Sequence, residues 1–218
     1  MKSEYLNKVI SNLWMQEASY MLKPIWVKDD SLDQMKLAAS SSNDLLVTER
    51  IGELEDGSKN ILARIFLNRE TQGLECFLLS DQVDVGFTLI TFQSKRERLP
   101  ADANGYIRIP GDIKQQDLLE GFGVTPPRIV IDLHKLDFDS TEMHIAEYNE
   151  TLFSISMNLD EGILELFTDI DLGDRKIYAF LFPVDKPREG ILSNFVNSAA
   201  QFQLSLTPIR HYKLAIYE

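Results

Sequence analysis

From Leu45 onward the apolar residues of this chain fall at every second position, in short runs broken by turn residues. A period of two is the signature of half-buried strands, because successive side chains point to opposite faces. Residues 45–54 and 60–68 flank Asp56-Gly57, a strong hairpin signal. Residues 74–80 follow the turn at Gln72-Gly73, and 86–93 complete what reads as a four-stranded antiparallel meander. A short strand over 106–109 follows Asn104-Gly105. The pattern resumes over 128–139, 143–157, 162–172 and 176–184, and again over 202–207 and 212–216. Residues 177–182 are apolar at every position, which predicts a central strand covered on both sides.

Helical spacing is found in four places. Tyr5, Leu6, Val9, Ile10, Leu13, Trp14, Ala18 and Met21 form one stripe, with Ser3 as N-cap and Pro24 as terminator. A second helix is expected after Ser31, where Gln34 completes a capping box. Residues 113–120 predict a brief third. Leu192, Phe195, Val196 and Ala199 predict a fourth after Pro187. The expected architecture is therefore α+β: about eleven strands in two antiparallel meanders, an N-terminal amphipathic helix and two or three short helices. The absence of a βα alternation argues against Rossmann, TIM-barrel and P-loop folds. One domain over 1–218 is expected. Gly121-Phe122-Gly123-Val124-Thr125-Pro126-Pro127 is the best internal boundary, between halves 1–120 and 128–218.

Charge narrows the function classes. The chain has 22 Lys and Arg against 34 Asp and Glu, a net of −12 over 218 residues. Between Asp132 and Asp174 there are twelve acids and one base, Lys135. Such a field repels phosphate, so general nucleic-acid binding is not expected. Asp137, Asp139, Glu142, Glu150, Glu165, Asp169 and Asp171 are instead candidate binding residues for a basic protein partner. No apolar run reaches the length of a membrane span. The polar start, Met1-Lys2-Ser3-Glu4-Tyr5, lacks a signal-like apolar region, and Cys76 is the sole cysteine. A cytoplasmic protein is expected, with Cys76 as a buried, inert thiol. The Tyr5–Met21 stripe leaves open a homo-oligomer.

Two constellations could carry chemistry. If 128–139 and 143–157 form a hairpin with its tip at Ser140-Thr141, His134 faces Glu147 and Asp132 lies on the same face. Asp132, His134 and Glu147 would then make a metal site or a carboxylate-oriented general base, as in a metal-dependent hydrolase. The second is the strand 87–92 running into Gln93-Ser94-Lys95. Its Gln-x-Lys ending resembles one variant of the restriction-endonuclease-like nuclease core. That resemblance implies a metal held by Glu75 and Gln93, with Lys95 steadying the attacking water. Glu75 stands where that family usually has aspartate, no helix is evident between the elements, and the motif is short, so membership is not assigned. No Walker A loop, nucleophile elbow, His-Glu-x-x-His or Cys-x-x-Cys is present. The leading expectation is a non-catalytic protein-interaction module without a cofactor, acting as accessory subunit, adaptor or inhibitor.

Overall fold

A computed structural model describes residues 19–27, 48–58, 60–92, 98–136, 138, 144–148, 151–158, 161–169, 177–185, 189–195, 198–204 and 211–218. They hold sixteen strands, one helix and a 3-10 turn, and the chain divides into two compact units, Met1–Pro126 and Pro127–Glu218.

The first unit is an eight-stranded antiparallel sheet. It contains β1 (Tyr20–Val27), β2 (Thr48–Asp56), β3 (Leu62–Asn68), β4 (Gly73–Leu79), β5 (Leu89–Thr91), β6 (Arg98–Pro100), β7 (Tyr106–Arg108) and β8 (Phe122–Thr125). The order is β6-β5-β8-β1-β2-β3-β4-β7. Its two edge strands are consecutive in the chain. Between them the Asp102 N–H donates to the Tyr106 carbonyl at 2.9 Å. Ala101 N–H donates to the Thr88 carbonyl at 2.8 Å, and Leu78 N–H to the Gly105 carbonyl at 2.9 Å. The sheet thus rolls round until both edges meet at this turn, as a small barrel does. Leu22, Leu54, Ile65, Leu78, Ile90, Leu99, Ile107 and Phe122 fill the interior, at least one from each strand.

The Asp56-Gly57 hairpin forms, and the Asp56 carboxylate staples it. Its oxygens accept from Ser58 N–H (3.0 Å), Ser58 Oγ (2.6 Å) and the buried Ile61 N–H (2.7 Å). Burial pushes the Asp56 carboxyl up, but these bonds outweigh it and the net shift is downward.

The second unit is a pair of four-stranded antiparallel sheets. One holds β10 (His144–Tyr148), β11 (Thr151–Asn158), β12 (Ile163–Thr168) and β15 (Ala199–Gln203), in that order. The other runs β14-β13-β16-β9, from β14 (Ile191–Asn194), β13 (Tyr178–Pro183), β16 (Tyr212–Tyr217) and β9 (Ile129–Asp132). Phe153, Ile155, Leu164, Leu166 and Phe202 of the first sheet share one core with Ala179, Leu181, Leu214 and Ile216 of the second. Two sheets sharing one core make a sandwich. Strand β13 is central in its sheet and Ile177 to Phe182 are all buried, as their unbroken apolar run predicts. Gly190 lies against this strand. A Cβ there would come within 2.5 Å of Phe180 Cζ, 2.7 Å of Phe182 Cβ and 2.8 Å of the Leu181 carbonyl.

The α+β expectation is overturned. The described residues are nearly all β, with α1 (Gln115–Leu119) as their one α-helix, inside the predicted 113–120. Residues 5–18 and 31–39, the two expected N-terminal helices, lie outside the described residues. Tyr20 and Met21, the end of the first stripe, are strand, and Pro24 sits within β1 beside a register shift that absorbs it. The fourth helix is not formed. Leu192 belongs to β14 and Ala199 to β15, and Ser198 at φ 63° turns the chain between them. The first meander also differs: β5 pairs with β6 and β8, and β1 completes β2-β3-β4. Phe122–Thr125, read as connector, is β8, hydrogen-bonded between β5 and β1.

Candidate functional site

The predicted His134–Glu147 hairpin is not the pairing that forms. Strand β9 pairs with β16, placing Asp132 opposite Lys213, whereas β10 pairs with β11, placing Glu147 opposite Leu152. Asp132 and Glu147 thus belong to different sheets. His134 is exposed in the 3-10 turn Leu133–Lys135. Asp132 is instead held by two ammonium groups, Lys213 Nζ at 2.9 Å and Lys135 Nζ at 3.0 Å. The Lys213 hydrogen bond draws its carboxyl below the ordinary range against partial burial, with Lys135 adding to it. An aspartate committed to two lysines is a poor metal ligand. Among the described residues no group of three His, Cys, Asp or Glu side chains is arranged to hold a metal ion.

Of the second constellation, Glu75 lies in β4 opposite Arg108 of β7, and Gln93 and Lys95 lie outside the described residues. Cys76 is fully buried, and burial pushes its thiol up, away from the reactive thiolate.

Asp137, Asp139, Glu142, Glu150 and Asp171 also lie outside the described residues. Glu165 and Asp169 do not, and the register places them with Glu147 on one surface, the outer face of the β10-β11-β12-β15 sheet. The pairing lays that face out in rows: Glu147–Leu152, then Ile145–Ser154–Phe167–Ala199, then Ser156–Glu165–Gln201, then Asn158–Ile163–Gln203. Asp169 adjoins the first row, because Leu152 N–H donates to its Oδ1 at 3.0 Å. Glu165 is oriented by Gln201 Nε2, which donates to Oε1 at 2.7 Å.

Two features of this face stand out. Ile145 is 65% exposed and Phe167 39% exposed, one on each side of the short Ser154 side chain. They stand roughly 10 Å apart, two strand spacings. Around them are three carboxylates and, among the described residues of the face, no Lys, Arg or His. Single exposed apolar residues are ordinary; two in one row, with half-buried Leu152 beside them, form a patch. The acids were legible from the alternation of 162–172. The apolar members were missed because Phe167 shares the parity of Glu165 and Asp169, on the side read as wet.

No family model, no curated protein and no solved structure matches the chain.

Proposed function

We propose that this is a non-catalytic, cytoplasmic protein-interaction module whose outer β10-β11-β12-β15 face receives a basic partner. The observation that carries the reading is the exposed Ile145–Phe167 pair on a face whose charged residues, among those described, are Glu147, Glu165 and Asp169, with the Glu161 carboxylate accepting from Asn158 in its last row. Apolar side chains left in water favour a partner that covers them, and carboxylates on either side select that partner's charge. A second copy of this face would bring like charges together, which opposes self-association through it. The buried Cys76 thiol suits a reducing compartment.

The test is comparative capture from cell extract at low salt, using the wild-type chain and the double variant Ile145→Asp, Phe167→Asp. The reading predicts one identified protein with a lysine- or arginine-rich segment, held by the wild type, released at high salt and absent from the variant. A partner retained equally by the variant refutes it.

A further inference from the structure

The face ends at β10, beyond which no strand lies among the described residues. We propose that the partner enters as an extended basic segment that pairs antiparallel with β10 and adds a fifth strand to the sheet. This rests on the docking reading of the face given above.

Strand β10 is the terminal strand of its sheet, and among the described residues no strand lies on its other side. In an antiparallel pair, alternate residues exchange both backbone bonds across the ladder, and those between direct theirs outward. Leu152 shows which set is which. Its N–H donates to Asp169 Oδ1 at 3.0 Å, and its carbonyl accepts from Asp169 N–H at 3.3 Å. Both groups point toward β12, so Leu152 exchanges no bonds with Glu147 opposite. The Glu147 N–H and carbonyl therefore point away from β11, and the period of two sends those of Ile145 the same way.

Natural edges are blunted by proline, by charge, by a bulge or by shortness. The strand His144-Ile145-Ala146-Glu147-Tyr148 has no proline and no bulge, its register with β11 is unbroken over five pairs, and its one acidic side chain, Glu147, admits a basic strand while opposing an acidic one. Two donors and two acceptors are presented, at the same two residues whose side chains give the face its apolar and acidic character. An incoming strand would exchange bonds with Ile145 and Glu147 through the residues directly opposite them. Those residues place their side chains on the outer face too. The matching segment has an aliphatic residue opposite Ile145 and a lysine or arginine two positions away, opposite Glu147. Charge selects this occupant over a second copy of the chain, whose own β10 would set glutamate near glutamate.

The probe is the peptide Thr-Ile-Thr-Lys-Thr-Ile-Thr-Lys, titrated into the full chain at low salt. Three further peptides serve as comparisons: one with Glu for Lys, one N-methylated at the Ile and Lys positions, and one N-methylated at the Thr positions. The proposal predicts that the Lys peptide binds and slows amide exchange at Ile145 and Glu147. Methylation at Ile and Lys weakens binding about tenfold or more, by removing the donors to β10. Methylation at Thr leaves it within about twofold, because those amides face away from β10. Equal binding by the two methylated peptides, or binding without protection of Ile145 and Glu147, overturns the added strand and leaves the docking face standing. No binding of the Lys peptide, or equal binding of the Glu peptide, overturns both.

Discussion

Replacing Asp56 by alanine tests the account of how the first unit holds its longest hairpin. The Ser58 N–H, the Ser58 hydroxyl and the Ile61 N–H lose their acceptor. The two on Ser58 lie at the exposed tip and return to water at little cost, whereas the Ile61 N–H stays buried without a partner. A buried donor left unsatisfied costs about 1–3 kcal/mol. The expected loss is therefore about 2 kcal/mol, which moves the urea midpoint by roughly 1 M for a typical dependence on denaturant. Tryptophan fluorescence isolates the unit concerned, since Trp14 and Trp26 both precede Pro126. The difference should also depend on pH. The folded Asp56 carboxyl lies below its ordinary value of 3.8, so its contribution is full above that value and declines as pH falls through the lowered one. The gap between wild type and Asp56→Ala should be constant from neutrality to about pH 5 and narrow toward about pH 2. A gap under about 0.5 kcal/mol at neutral pH, or one that ignores acid, refutes the staple.

Further expectations concern both units. Gly190→Ala should destabilise the second unit by about 1–3 kcal/mol, because two of the three atoms it would strike belong to backbone or a Cβ that cannot swing away; amide exchange across β13 would show it as faster opening. Phe153→Ala removes a ring from the shared sandwich core and should cost about 3–5 kcal/mol, read from the same amides. Lys213→Met should raise the Asp132 pKa toward its ordinary value, leaving Lys135 as its remaining lysine; carbon-detected NMR titration of the side-chain carboxyl measures this. Cys76 should resist thiol reagents in the folded protein and react fully in urea, whereas rapid labelling without denaturant would contradict its burial.

What the sequence showed and hid follows from the range of the interactions involved. The Asp56-Gly57 hairpin, the short helix near Gln115 and the doubly covered Ile177–Phe182 strand were legible because local turn chemistry or an unbroken apolar run decides each of them. Pairing partners were not. The His134–Glu147 hairpin assumed that neighbours in sequence pair, but β9 reaches across about eighty residues to β16, and nothing within residues 128–157 announces that. The same span hid a break, since alternation runs on past Asn149-Glu150 although β10 and β11 are separate strands meeting at Tyr148 and Thr151. The 192–199 spacing mimicked a helix, but Leu192 lies in β14 and Ala199 in β15, and the positive φ of Ser198 turns the chain between them. Acidity marked Glu165 and Asp169 as a pair, but only the register brought Glu147, Ile145 and Phe167 to them.

Carboxyl footprinting of the full chain, with and without the Lys peptide, addresses the docking face most directly. Glu147, Glu165 and Asp169 should be shielded several-fold on binding, while Glu55 and Glu75 of the first unit label as before. Shielding spread evenly over both units, or confined to the first, would contradict a binding face on the β10-β11-β12-β15 sheet.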